Sequence, residues 1–110
     1  MPLKSGVKLV AETEGVGPPV KKGDRVKVRL NGRLNRGASI QENYITEIVI
    51  GKRSVIPGIE YGLEGMKPGG KRKVRISPHL AYRDKGVADL IPPNAVLVYE
   101  IEILDVTPST

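Results

Sequence analysis

Residues 55–72 of this chain, VIPGIEYGLEGMKPGGKR, admit two incompatible readings. From Gly65 they approach the phosphate-binding pattern G-x-x-x-x-G-K-[S/T]. That pattern needs a Ser or Thr after the lysine to hold magnesium, and then a helix whose first amides face the phosphates. Here Arg72 follows Lys71, and KRKVRIS alternates basic and apolar residues as a half-buried strand does. With the magnesium ligand and the helix both missing, nucleotide binding is rejected. Gly65, Pro68, Gly69 and Gly70 then read as a turn joining a helix to a strand. Upstream, Pro57 at a first turn, Glu60 near the start, and Ile59 and Leu63 four apart predict a helix over 57–63. So short a helix does not stand alone in water, so its Ile59 and Leu63 face has to pack on the concave side of a sheet.

Outward from this stretch, strict alternation predicts strands over 7–12, 25–34, 44–50, 70–77 and 96–106, each with one buried face. Proline, glycine and asparagine clusters separate them: GVGPPVKKGD before the second, NRG after it, PGG before the fourth. The expected fold is α+β, a curled antiparallel sheet of about five strands wrapped around one short helix, in a single domain over 1–110. The closing PST reads as a loose tail.

The 110 residues suffice for one core, burying roughly 65% of the surface of the unfolded chain. No apolar run approaches the roughly 20 residues of a spanning helix, so no membrane association is expected. Cysteine is absent, which excludes thiolate chemistry and sulfur-bound zinc and suits a cytoplasmic protein. No secretory leader is expected from MPLKSGVKLV, and a monomer is expected.

A net charge of +6 raises the prospect of nucleic-acid binding. The cations, however, alternate with apolar residues in DRVKVRL and KRKVRIS, and LVYEIEIL places Glu100 and Glu102 in the same manner. A basic strand beside an acidic one, with cross-strand pairs, accounts for them. There is no Phe or Trp to stack bases, so nucleic acid is not expected as a partner. The single histidine, His79, cannot form a metal cluster, and no serine stands in a nucleophile elbow. No carboxylate pair is marked out as acid and base, so no metal or cofactor is expected. What remains is an uncharged pocket flanked by Val55, Ile56, Ile59, the loop AYRDKGVADLIPP and Tyr99. Spacing alone makes Tyr82 and Tyr99 core-edge residues with a solvated tip; a hydroxyl donor to a ligand carbonyl is the alternative.

The motifs VIPG (55–58), GMKPGGKR (65–72), ISPHLAY (76–82) and IPPNAVLV (91–98) resemble the C-terminal half of the FKBP-type peptidyl-prolyl cis-trans isomerases. GDRVKVRLNGRL is similar, more weakly, to that family's second strand, so the likeness covers nearly everything from Lys22 to Val106. The resemblance implies the same curled sheet and an isomerase acting on X-Pro bonds without a cofactor. Its partners would be proline-containing segments of client proteins and, with weakened affinity, macrolide inhibitors. By position, Val55 and Ile56 resemble the pocket wall, with the Ile56 amide a donor to substrate carbonyl, and Tyr82 resembles the family's hydroxyl donor. Ile91 and Tyr99 resemble residues that close the cavity, Tyr99 standing where Phe is usual. Ile59 stands where the family has a Trp floor, Leu30 where Tyr is usual, and Ile40 with Gln41 where a Phe-Asp pair is common. Arg83 follows Tyr82 in place of Gly. Loss of much of the aromatic cage leaves two readings, an isomerase of reduced activity and a catalytically weak protein-binding or chaperone-like module.

Overall fold

A computed structural model of the chain describes residues 5–52 and 55–108. The elements run β1 (Val7–Thr13), β2 (Arg25–Leu34), β3 (Ser39–Val49), α1 (Pro57–Leu63), β4 (Lys71–Ile76), a short 3₁₀ turn at Pro78–Leu80, and β5 (Leu97–Thr107). The strands form one sheet of order β1-β4-β5-β2-β3 in which every neighbouring pair is antiparallel. The tail at 109 and 110 lies outside the described residues.

β5 is central because both its edges are paired, one with β4 and the other with β2. Leu97, Tyr99, Ile101 and Ile103 point into the core, while Glu100 and Glu102 lie between cationic β4 and β2. Arg29 donates to Glu102 at 3.2 Å, and Arg25 pairs with Glu47 at 3.5 Å. The charge alternation is thus a solvated sheet face with cross-strand pairs, as the sequence suggests. β2 buries Val26, Val28, Leu30 and Leu34 on the opposite face, and these meet Val74 and Ile76 of β4 in one core.

α1 occupies the expected seven residues. Ile59 and Leu63 are buried in the core, and Gly58 sets the depth of the helix. A Cβ on Gly58 would lie 2.3 Å from Ile76 Cγ2, so only glycine lets α1 seat this closely on β4.

Two expectations require correction. β1 buries only Val7; Leu9 and Val10 are exposed, because β1 is an edge strand and its register shifts between Leu9 and Ala11. The alternation there is not matched by a second layer. β3 begins at Ser39, five residues before the expected start, since backbone pairing of Gly32 with Gln41 and Arg33 with Ser39 extends it past its apolar part. Periodicity could not show this, because most of SIQENY lies exposed.

Candidate functional site

Ile56 is the residue before α1, with extended backbone (φ −59°, ψ 147°), and its carbonyl accepts from the Ile59 N–H at 3.0 Å. Pro57 at the first turn has no N–H and so needs no acceptor, and the chain passes from extended to helical within one residue. Among the described residues the Ile56 N–H makes no backbone hydrogen bond, which leaves it for an outside acceptor. Val55 and Ile56 are half-buried against the core that holds Ile59.

Tyr99 forms the far side. It is paired with Gly32 of β2, which is itself paired with Gln41 of β3, so three neighbouring strands align these residues in one row. The Tyr99 ring crosses Gly32, where a Cβ would stand 2.4 Å from the ring's Cζ. Its hydroxyl then donates to Gln41 Oε1 at 2.9 Å. Two strand spacings of about 4.8 Å match what a tyrosine spans plus one hydrogen bond. Burial pushes the Tyr99 hydroxyl up to about 12, with a further push from the nearby Tyr82. At neutral pH it is therefore a donor.

Tyr82 starts a loop held by its own backbone. Gly86 N–H bonds to the Tyr82 carbonyl at 3.0 Å, Val87 and Ile91 exchange two bonds of 2.8 Å, and Asn94 N–H reaches the Arg83 carbonyl at 2.7 Å. These bonds fold Ile91 inward, where it is buried. Tyr82 is half-buried against the same core, and no hydrogen bond to its hydroxyl is found among the described residues.

Eight of the nine expected site residues belong to the one hydrophobic core or pack against it, and the ninth, Gln41, reaches it through Tyr99. Leu30, Ile59, Ile91 and Tyr99 are floor residues, none more than 5% exposed. Ile40, Val55, Ile56 and Tyr82 are half-buried against them, and Gln41 joins through Tyr99. The result is an apolar dish whose polar groups are an amide, two phenols and a carboxamide. Cavities of ≈ 280, ≈ 370 and ≈ 320 Å³ open elsewhere. The first is polar and borders Gln41; the second touches the dish at Ile91.

Sequence reasoning passed over two residues. Gly32 was readable, because glycine inside a strand marks a close approach by another group. Arg72 appears in the sequence only as the residue that spoils a phosphate loop. Its Nη1 donates to the carbonyls of Gly62 (3.0 Å) and Glu64 (2.7 Å), and its Nε donates to Glu12 of β1 at 2.8 Å. A buried guanidinium thus satisfies the carbonyls at the end of α1, where a cation is favoured, and ties the helix to the sheet edge.

The pattern of the FKBP-type peptidyl-prolyl cis-trans isomerases matches residues 17–104. FK506-binding protein 1A of Neurospora crassa is 35% identical over 111 residues, which cover 96% of this chain and 92% of that protein. A probable FKBP-type peptidyl-prolyl cis-trans isomerase of Haemophilus influenzae is also 35% identical, over 97% of this chain but only 45% of its own length. Among solved structures, a peptidyl-prolyl cis-trans isomerase from Pseudomonas syringae superposes with a TM-score of 0.82 at 33% identity, covering 97% of this chain and 80% of that one. FkpA from Escherichia coli gives 0.79 at 37% identity, covering 94% and 48%. The chain belongs to the FKBP-type peptidyl-prolyl cis-trans isomerase family, and prolyl isomerisation is its class of activity.

Proposed function

We propose that this domain accelerates rotation about exposed X-Pro bonds of protein chains by holding the twisted amide in the dish formed by Leu30, Ile59, Ile91 and Tyr99. The carrying observation is that Ile56 and Tyr82 both pack against this apolar core, and that among the described residues the Ile56 N–H makes no backbone hydrogen bond and the Tyr82 hydroxyl has no partner. Amide resonance sets a barrier of roughly 18–20 kcal/mol. The twisted state has lost resonance and much of its charge separation, so an apolar floor favours it over either planar isomer. Differential binding of this kind needs no acid, base or metal. Lowering the barrier by about 5 kcal/mol would give several thousandfold acceleration. The two donors hold the flanking peptide still while the bond turns.

A protease-coupled assay on short X-Pro peptides tests this. Acceleration above the uncatalysed rate at micromolar protein is expected, with kcat/KM falling severalfold in Tyr82→Phe, since one hydrogen bond is worth about 1 kcal/mol. A rate equal to the uncatalysed one removes the enzymatic reading. The second reading, a weakly catalytic module that binds apolar or proline-containing segments, is favoured by one observation: Ile59 is only 3% exposed. Isoleucine in place of a broader ring leaves little floor for a prolyl ring to cover. For the same reason macrolide ligands of the family are expected to bind weakly, which calorimetric titration measures.

A further inference from the structure

Positive charge is unevenly matched on the solvated face of the sheet. Over most of that face each cation has a carboxylate opposite it: Lys73 faces Glu100, Lys71 and Arg29 face Glu102, and Lys27 faces Glu47. Arg25 also bonds to Glu47. At the far end, one register row crosses all five strands as Lys8, Arg75, Val98, Arg33 and Ser39. Three cations share that row with no carboxylate in it, and among the described residues none of the three forms a salt bridge. Val98 lies outside the hydrophobic core yet is only 3% exposed. Its register partners on either side are Arg75 and Arg33, and long cationic stems cover an apolar neighbour while their heads stay in water. The heads are held as well. Arg75 Nε donates to Asn35 Oδ1 at 3.2 Å, and Arg33 Nη1 donates to the carbonyls of Leu34 and Asn35 at 3.2 and 3.3 Å. Both guanidinium groups are thus anchored on Asn35, although β5 separates their strands, and each keeps most of its N–H donors for an outside acceptor.

We infer that Arg33, Arg75 and Lys8 form a binding site for a phosphate group, taken as the free ion or as a phosphate ester on a protein segment. The two arginines lie two strand spacings apart, about 10 Å, and their attachment to Asn35 directs both forks to one place. One fork satisfies both oxygens of a carboxylate, so a carboxylate would leave the second fork idle. A phosphate monoester carries a charge of about −1.5 to −2 and three acceptor oxygens, which engages both forks and leaves Lys8 to balance the charge. The carboxylate in the next row, Glu100, already has Lys73 opposite it. This face of the sheet is the one turned away from the apolar dish, so the site stands apart from the isomerase proposal.

The side-chain Nε–Hε signals of Arg33 and Arg75 in nitrogen–proton correlation spectra report on the site directly. The full chain, at physiological salt, is titrated with inorganic phosphate, with a short alanine peptide carrying one phosphoserine, and with the same peptide carrying serine. The phosphoserine peptide is expected to bind about tenfold tighter than the serine peptide and to move those two signals first. A peptide tighter than inorganic phosphate marks the ester as the ligand and equal affinity marks the free ion; both uphold the site. Arg75→Lys keeps the charge and removes the fork, so affinity should fall about threefold, and Arg75→Gln should cost about fivefold or more. Lys27→Gln removes the same charge from the matched end of the face and should change affinity less than about twofold. Lys27 and Arg75 are both exposed, so these variants are expected to fold. Equal losses in Arg75→Gln and Lys27→Gln, or no loss in Arg75→Lys, would mean a diffuse positive field and overturn the inference. Unmoved Arg33 and Arg75 signals overturn it too, as does binding confined to vesicles of anionic lipid.

Discussion

Arg83 has φ 55°, a left-handed conformation in which a side chain clashes with its own backbone at a cost of roughly 1–2 kcal/mol. The loop imposes it, because the Arg83 N–H bonds to Pro78 and its carbonyl receives Asn94. Arg83→Gly should therefore raise stability by about 0.5–1 kcal/mol, the relieved strain exceeding the entropy lost by glycine, as urea denaturation will measure. Gly32 is the opposite case. Gly32→Ala puts a methyl into the Tyr99 ring, and the overpacking should cost about 1–3 kcal/mol and break the bond to Gln41. Equal stability of the alanine variant would show that the ring moves aside freely. Ile59 was legible as a helix-face residue from its spacing to Leu63, and its burial followed from a helix too short to stand without packing on the sheet.

At the scale of elements, α1 is the one whose position matters most to the site and the one least able to form alone. Its N-terminal end follows from Pro57, which any sequence reading finds. Its other end depends on Arg72, eight or more residues away along the chain. Arg72→Met keeps the side-chain bulk and removes the charge-assisted bonds to Gly62, Glu64 and Glu12. The expected loss is about 2–4 kcal/mol, with the last turn of α1 losing amide-exchange protection before the sheet does. A uniform loss of protection would mean that Arg72 supports the sheet and not the helix end. The helix boundaries were legible from the sequence and the staple was not, since an arginine in a strand looks the same whether it faces solvent or a helix terminus. The extension of β3 to Ser39 belongs here too. It follows from backbone pairing with β2, which leaves no mark in the apolar pattern.

Across the whole molecule, one core carries both the site and the stability, so titration of a site residue is felt globally. Tyr99 loses its proton more readily unfolded, near 10, than folded, near 12. Its burial as a neutral phenol therefore contributes fully below pH 10 and is lost as pH rises from 10 through 12, because the folded state holds the proton longer. The difference sets an upper bound of about 2–3 kcal/mol on the stability involved, lowered by solvent screening at the hydroxyl. Tyr99→Phe should flatten the fall in unfolding free energy between pH 10 and 12. An unchanged slope in that variant would assign the alkaline loss to other groups. The cationic sheet face adds to the same picture: Arg29 meets Glu102 as the alternation of KVR and EIE implied, and Arg25 pairs with Glu47 of β3.

The sequence by itself determined the class of fold, the helix at 57–63 and the strands with a clean apolar period. These are local or periodic properties, and each residue type carries its own preference. Only the tertiary structure decided that Tyr99 crosses Gly32 to meet Gln41, that Arg72 closes α1, and that β1 leaves Leu9 and Val10 uncovered. Each depends on which strands are neighbours and on the register between them. Strand order and register arise from the packing of the whole core, and no short stretch of the chain contains them.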